Sequence, residues 1–167
     1  MFRLIELSRL GLPLVDATVM LQREVADRLL AAAGTREYGL LSILVGHRAA
    51  AKRLLNLPPG AFRPAPKVQS TVVRLSLHGP EPPVGDEAKL ASITQALFSR
   101  RRKTLPNALL AYGGVTPATV GEALRAAGLD PARRPETLSI DELCRLTDVL
   151  RREPGPESSR TATAPVL

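Results

Sequence analysis

Hydrophobic and polar positions alternate along the first half of the chain in a pattern that predicts helices and strands in turn. Residues 2–10 put apolar and charged side chains on opposite sides of a helix, which Gly11 and Pro13 end. Apolar runs predict strands at residues 14–21, 52–57 and 71–77. Helices are predicted at residues 23–32 and 40–45, although the second run is short enough to fit a strand by its period. This order is typical of an α/β sheet.

The pattern changes after residues 79–85, a segment of prolines and glycines that reads as a linker. Apolar residues then recur at helical spacing, starting with Leu90, Ile93 and Leu97. The predicted organisation is therefore α/β followed by all-α. Its segments are an α/β domain at 1–78, a linker at 79–85, a helical domain at 86–152 and a disordered tail at 153–167.

Capping residues predict where the later helices begin. Thr104 is expected to cap one helix, with Pro106 tolerated in its first turn. Thr116 precedes a proline and opens the next helix. Ser139 and Glu142 are spaced as a capping box for the last one.

Composition favours one class of binding partner and argues against a membrane span, a disulfide and a metal site. The net charge of +7 favours polyanions, most often nucleic acid. No run of about 18 apolar residues predicts a membrane span, and residues 1–6 do not resemble a signal peptide. A single cysteine, Cys144, excludes an internal disulfide and fits a reducing compartment. His47 and His78 lack the neighbours of a metal site.

Residues 62–70, Phe-Arg-Pro-Ala-Pro-Lys-Val-Gln-Ser, form the first candidate site. Pro64 and Pro66 stiffen the loop and favour extended conformations before them. Phe62 then either fills a core or is presented on a rigid loop for binding. Lys67 lies on the same loop.

Four consecutive cations form the second candidate site. This basic run consists of Arg100, Arg101, Arg102 and Lys103. It is either a solvated face or a set of phosphate contacts that reach up to four consecutive phosphates. Each duplex phosphate contact contributes about 0.9 to the slope of log K against log salt, so losing three cations would lower the slope by about 2–3. The alternative RNA surface consists of Arg48, Lys52 and Arg53.

Both candidate sites are similar to sequence motifs of one protein family. Residues 62–70 and the following Val-Val-Arg-Leu strand are similar to the last methyltransferase motif of ribosomal RNA adenine dimethyltransferases. Residues 98–109 resemble the family's Phe-x-x-Arg-Arg-Lys-Thr-Leu-x-Asn-x-Leu run, with Pro106 as a departure. Residues 2–5, 20–29 and 38–42 are also similar, so the likeness begins at the first residues and leaves out the family's front half.

The resemblance implies a fold, a reaction and roles. The fold would be the second half of a Rossmann-like methyltransferase sheet with a small helical domain that contacts RNA. The reaction would transfer two methyl groups from S-adenosylmethionine to the N6 atoms of small-subunit rRNA adenines, in the cytoplasm, by a monomer. Phe62 would stack on the extruded adenine. Lys67 and the basic run would hold the RNA backbone, within the pre-30S ribosomal subunit.

One feature of the sequence argues against activity of this chain alone. No Gly-x-Gly-x-x-Gly occurs, so the loop expected to hold S-adenosylmethionine is missing. Asn56-Leu57-Pro58-Pro59 resembles the Asn/Asp-Leu/Pro-Pro-aromatic motif of adenine amino-methyltransferases, but a proline replaces the aromatic residue, and we interpret this stretch as structural. The alternative is a non-catalytic RNA-binding or ribosome-assembly protein. We interpret Glu136, in an Arg-x-Glu-x-Leu-Ser turn, as structural.

Overall fold

The computed structural model describes residues 14–151 of the 167-residue chain. The predicted helix at residues 2–10 and the predicted tail at 153–167 lie outside this part. The chain forms two compact units. Unit 1 takes the residues up to Pro83 together with Glu136–Asp141, and unit 2 takes Val84–Pro135 and the residues from Glu142 onward. The division after Pro83 falls inside the segment that the sequence predicts to be a linker.

Unit 1 contains three strands and two α-helices. They are β1 (Asp16–Gln22), α1 (Arg23–Leu29), α2 (Leu40–Gly46), β2 (Ala49–Leu57) and β3 (Ser70–Leu77). The predicted strands and the helical choice for residues 40–45 are confirmed. Helix α1 ends three residues earlier than predicted. The chain turns away at Leu30, and Gly34 adopts a φ of 86° while its amide donates to the Glu136 oxygen at 2.7 Å.

The three strands form an antiparallel sheet in the order β1-β3-β2. The predicted mixture of helices and strands is confirmed, and the sequence pattern did not indicate the direction in which these strands pair. The loop between β2 and β3 contains no α-helix that could cross over the sheet, and without such a crossover the two neighbouring strands run antiparallel. Strand β1 runs in the same direction as β2, because both are antiparallel to the strand between them.

Strand β2 is longer than the sequence predicts. Its first residues, Ala49, Ala50 and Ala51, pair with the end of β3, although alanine has little preference for strands. A bulge interrupts the pairing at Leu54, between Arg53 and Leu55. Two residues therefore face one partner residue at this position, which bends the strand.

The core of unit 1 lies between one face of the sheet and the two helices. Its buried residues come from every layer: Ala26, Leu29, Val45, Ala49, Val73 and Leu75. The β3 residues alternate between this core and the opposite face, as the period of a strand requires. The antiparallel sheet and the α1–α2 layer thus hold the ends of the loop that carries Phe62.

Unit 2 is helical. It contains α3 (Glu87–Ser99), α4 (Leu105–Leu109), α5 (Pro117–Ala126) and most of α6 (Ile140–Arg151). Most apolar residues predicted to face inward are buried: Leu90, Ile93, Leu97, Val120, Leu124, Ala127, Leu143, Leu146 and Leu150. Phe98, predicted on the same apolar face as Leu90, is only half-buried. Gly128 ends the α5 region with a φ of 68°, as its predicted role as a stop requires. No helix within residues 14–151 combines the length and the apolar character needed to cross a lipid bilayer.

The capping predictions have mixed outcomes. The Thr116 side chain accepts from the Thr119 amide at the start of α5, as expected. Thr104 stands at the predicted cap position of α4, but its hydroxyl makes no capping bond. It accepts from the Asn107 side chain at 3.1 Å instead. Helix α6 begins directly after Ser139, and the Glu142 carboxylate binds Arg133.

We predict that a protease of broad specificity cuts the folded chain first within residues 79–85, which contain no helix or strand. The fragments should stay associated, because Glu136–Asp141 belongs to unit 1. There the Tyr38 hydroxyl donates to the Leu138 oxygen at 2.9 Å. Size-exclusion chromatography of the nicked chain should give one peak. Tyr38→Phe removes a hydrogen bond worth about 1 kcal/mol and should weaken the association of the two fragments. A first cut inside residues 86–150 would contradict the boundary.

Candidate nucleic-acid interface

The loop that carries Phe62 connects β2 to β3. It opens with a short 3₁₀ turn, Pro59–Ala61, and the Phe62 amide donates to the Pro59 oxygen at 3.2 Å. Phe62 itself is extended and half-buried, and the following Arg63–Pro64 peptide bond is cis. Lys67 is exposed. The aromatic ring is thus neither a core residue nor fully solvated.

Two hydrogen bonds hold the end of this loop against the start of α1. The Arg23 amide donates to the Gln69 oxygen at 2.9 Å, and the Arg23 guanidinium donates to the Gln69 side-chain oxygen at 2.6 Å. These residues are 46 positions apart in the sequence. No local motif signals their contact, and sequence reasoning missed it.

A polar chain continues from this contact across the sheet. Arg23 lies 3.7 Å from the Asp27 carboxylate, and Arg53 donates to the other Asp27 oxygen at 2.5 Å. Arg53 and Thr71 both donate to the Asn56 side-chain oxygen, at 3.2 and 2.8 Å. The oxygen that a catalytic Asn56 would offer to an adenine amine is therefore already used. This supports the interpretation of the Asn-Leu-Pro-Pro sequence as structural.

A groove of about 450 Å³ lies beside the loop exit, within unit 1. Its lining residues are mostly charged or polar: Gln22, Arg23, Glu24, Asp27, Glu37, Val68 and Gln69. Phe62 and Lys67 are not among them. The structure therefore keeps these two predicted site residues on one loop but outside the groove, whose carboxylates make it a poor surface for a phosphate backbone.

The basic run lies in unit 2, in the turn between α3 and α4. Its four residues and Ser99 line one cavity of about 210 Å³, which we call the basic cavity. The Lys103 amide donates to the Arg100 oxygen at 2.8 Å and closes the turn. The sequence places these cations next to one another, and the turn keeps parts of all four at one small depression.

The far end of the turn is fixed by Arg133. Its backbone oxygen accepts from the Leu105 amide at 2.9 Å, directly after the basic run. Its guanidinium donates to both Glu142 oxygens, at 2.6 and 2.9 Å, and these hydrogen bonds raise the pKa of Arg133 above its ordinary value. The position of the basic run is thus set by a residue about thirty positions later in the chain.

Three residues of the basic run lack the carboxylate partners that several other cations have in the described part of the chain. Several arginines pair with carboxylates of the same unit: Arg23, Arg28, Arg53, Arg74 and Arg133. Arg100, Arg102 and Lys103 pair with no carboxylate in the described part of the chain, and all three are exposed. Of the alternative surface, Arg53 is committed to Asp27. The charge of Arg100, Arg102 and Lys103 is therefore suited to an external anion.

The remaining candidates are structural. His47 is buried and its Nε2 lies 2.7 Å from the Pro82 oxygen. Cys144 is buried in α6, as predicted. Within residues 14–151 no three side chains of His, Cys, Asp or Glu lie close enough to hold a metal ion.

Comparisons with known proteins point to one family. A family model described as "Ribosomal RNA adenine dimethylase" matches residues 1–152. "Ribosomal RNA small subunit methyltransferase A" of Desulfitobacterium hafniense is 45% identical over 139 residues, which cover 83% of this chain and 50% of the relative. The protein of the same name from Myxococcus xanthus is 41% identical over 149 residues, covering 88% and 51%. The chain thus spans about half the length of these relatives.

Solved structures give the same fold. A dimethyladenosine transferase from Plasmodium falciparum matches with a TM-score of 0.68 and 23% identity, over 87% of this chain and 60% of that one. The 23S rRNA methyltransferase ErmE matches with a TM-score of 0.53 and 21% identity, over 82% and 55%. At such identities the similarity concerns the arrangement of strands and helices.

Proposed function

Because the chain belongs to the ribosomal RNA adenine dimethylase family, we propose that it supplies the RNA-binding and adenine-contacting part of an rRNA adenine dimethyltransferase. The reaction would transfer two methyl groups from S-adenosylmethionine to N6 of adenines in small-subunit rRNA. The observation that carries the proposal is the basic run, in which Arg100, Arg102 and Lys103 are exposed and pair with no carboxylate in the described part of the chain. The names of the relatives support the substrate class.

The sheet would be the second half of a Rossmann-like methyltransferase sheet. Two observations support this. The order β1-β3-β2 places an antiparallel strand between two strands of common direction. The matched relatives are about twice as long as the matched region, which leaves room for further strands.

Phe62 would stack on the target adenine. An enzyme that modifies a base within folded RNA must first remove it from its stack, and an aromatic ring replaces part of the lost stacking. The half-burial of Phe62 supports this role, because the residue is neither enclosed in the core nor fully solvated. Lys67, five residues later on the same loop and exposed, would contact the neighbouring phosphate.

The described residues do not fit S-adenosylmethionine. A dinucleotide-like ligand needs a glycine-rich turn from a strand into a helix, where free amides point at it. Within residues 14–151 the strand that runs directly into an α-helix is β1, and the Gln22-Arg23 junction has no glycine. The Arg23 amide is already bonded to Gln69. No step is therefore assigned to the cofactor on these residues.

We predict that the purified 167-residue chain binds S-adenosylmethionine weakly or not at all. The reason is that the described residues contain no glycine-rich turn from a strand into a helix. Isothermal titration calorimetry tests this directly, with the intact relative from Desulfitobacterium hafniense as the control. Micromolar binding by the chain would contradict the prediction and would place a cofactor site on residues that have no glycine-rich turn.

We predict that replacing Arg101, Arg102 and Lys103 with alanine weakens binding of every RNA sequence alike and lowers the dependence on salt, because contacts to phosphates carry no sequence information. The matched control removes the same charge from Arg28, Arg74 and Arg125. Fluorescence anisotropy over a salt series measures both variants. If only the control loses affinity, the RNA surface lies elsewhere, and Arg48 and Lys52 become the next candidates.

A second function remains, a non-catalytic RNA-binding or ribosome-assembly protein. The observation that favours it is the same junction without glycine, combined with an intact basic run. A chimera distinguishes the two functions. It joins this chain to the half of the Desulfitobacterium hafniense relative that lies outside the matched region. Transfer of methyl groups to small-subunit rRNA by the chimera supports the enzyme, and RNA binding without transfer supports the alternative.

A further inference from the structure

We infer that Asp27 is a positioning residue, which holds both ends of the loop that carries Phe62 against α1 and thereby sets the rate of methyl transfer. This inference rests on the proposed function and goes beyond it, because it gives a role to a residue outside both candidate sites. All the residues involved belong to unit 1.

The loop between β2 and β3 needs contacts from outside the sheet to keep one position. Apart from the 3₁₀ turn Pro59–Ala61, residues 58–69 form neither helix nor strand. The pairing of the two strands fixes only the base of the loop, where Asn56 faces Thr71. A functional side chain such as Phe62 is held in a productive position when hydrogen bonds around it fix the loop.

The exit of the loop is connected to Asp27 through Arg23. The Arg23 guanidinium donates to the Gln69 side-chain oxygen at 2.6 Å, and its Nε lies 3.7 Å from Oδ2 of Asp27. Gln69 is the last residue before β3. The Asp27 carboxylate therefore orients the guanidinium that binds the loop exit.

The base of the loop is connected to the same carboxylate through Arg53. Its Nη2 donates to Oδ1 of Asp27 at 2.5 Å, and its Nη1 donates to the Asn56 side-chain oxygen at 3.2 Å. The hydroxyl of Thr71, a fully buried residue, donates to this Asn56 oxygen at 2.8 Å. One guanidinium thus links α1 to the strand residues on both sides of the loop.

Asp27 is the centre of this network because its two oxygens serve two cations. Arg23 and Arg53 come from α1 and β2, and each is bonded to a different end of the loop. Without the carboxylate these like charges would repel each other. The side chains of Asp27 and Arg53 are 36% and 34% exposed, so each ion pair contributes little to global stability. The main effect should therefore be on the position of the loop.

Fluorescence of the full 167-residue chain tests this effect directly. The sequence contains no tryptophan, so Phe62→Trp places a single fluorophore on the loop. In this background Asp27→Ala should increase the fast component of the anisotropy decay, which reports motion of the loop. Loss of two exposed ion pairs shifts an equilibrium by about 2- to 30-fold, and the population of the mobile loop should rise within this range. Alanine favours helices, so α1 should persist.

Asp16→Ala is the matched control. Asp16 also pairs with an arginine of the same sheet, Arg74, and its side chain is 40% exposed, close to the value for Asp27. This variant should leave the anisotropy decay unchanged. Equal decays for Asp27→Ala and Asp16→Ala would overturn the inference.

Arg53→Lys tests the network without changing the net charge. Lysine has one nitrogen in place of the two Nη atoms that bind Asp27 and Asn56, so it cannot make both contacts in the same way. This variant should mobilise the loop in the same direction as Asp27→Ala. Because the two residues act in one network, the double variant should show less than the sum of the single effects. An unchanged decay in Arg53→Lys would overturn the link to the loop base.

Methyl transfer by the chimera described above provides the second measurement. Asp27→Ala should lower the single-turnover rate at saturating RNA by about 2- to 30-fold. Its effect on RNA affinity should equal that of Asp16→Ala, because both variants lose one negative charge. Equal rates for the two variants, or a loss confined to affinity, would overturn the positioning role. Fluorescence requires no catalysis, so an inactive unaltered chimera would contradict the proposed function, and the anisotropy would still decide whether Asp27 positions the loop.

Discussion

Replacing Phe62 with alanine should lower methyl transfer by roughly 5- to 150-fold in the chimera described above, and RNA affinity much less. Stacking of a base on an aromatic side chain is worth about 1–3 kcal/mol, and this range gives the expected factor. In the proposed function the ring acts when the adenine leaves its stack, whereas most of the RNA affinity would come from phosphate contacts. Single-turnover methylation and anisotropy on the same RNA separate the two effects.

Phe62→Leu is the matched control for this prediction. Leucine keeps an apolar side chain of similar bulk but has no aromatic face. If Phe62 mainly fills space, leucine should restore most of the activity and of the thermal stability. If Phe62 stacks on the base, leucine should restore stability alone. A leucine variant with normal methyl transfer would therefore refute the stacking role.

Leu75→Ala should lower the free energy of unfolding by about 2–5 kcal/mol, toward the upper part of that range. Leu75 is fully buried in β3, the central strand. Its cross-strand neighbours are both small, Ala17 in β1 and Ala51 in β2. These residues cannot extend into the space that the leucine leaves, so the cavity should persist. Urea unfolding followed by circular dichroism measures the change.

Leu54→Ala provides the control with the same chemical change in the same sheet. Leu54 occupies the bulge of β2 and is 47% exposed, so little apolar area is lost. The expected change is below about 1 kcal/mol. Equal losses for Leu54→Ala and Leu75→Ala would mean that the buried sheet face is not the main source of stability in unit 1.

Periodicity predicted the elements of the fold better than their pairing. The strands of unit 1 and the helices of unit 2 have apolar residues at the spacing of their type, and this spacing is a local property. The alanines at the start of β2 carry no such signal, and they are held in the strand by their pairing with β3. The antiparallel direction of both pairs also escaped the pattern, because alternating elements appear in parallel and mixed sheets alike.

For the candidate site too, the sequence indicated local features but not the contacts between distant residues. The sequence alone pointed to Phe62 and the basic run, because an unusual loop and four adjacent cations are visible without a fold. It did not predict the bonds between Arg23 and Gln69 or between Arg133 and Glu142. These contacts join residues of ordinary type, and their meaning arises only when the chain brings them together.

By itself, the sequence indicated the family and the order of helices and strands, and it provided the prediction of which residues contact RNA. Motifs and periodicity are read within short windows, so these properties need no knowledge of distant contacts. Only the tertiary structure decided that β3 lies between β1 and β2, that Asn56 is engaged by Thr71, and that the basic run forms a closed turn. Each of these depends on a hydrogen bond or a turn whose geometry is fixed by packing, and packing is a property of the folded chain as a whole.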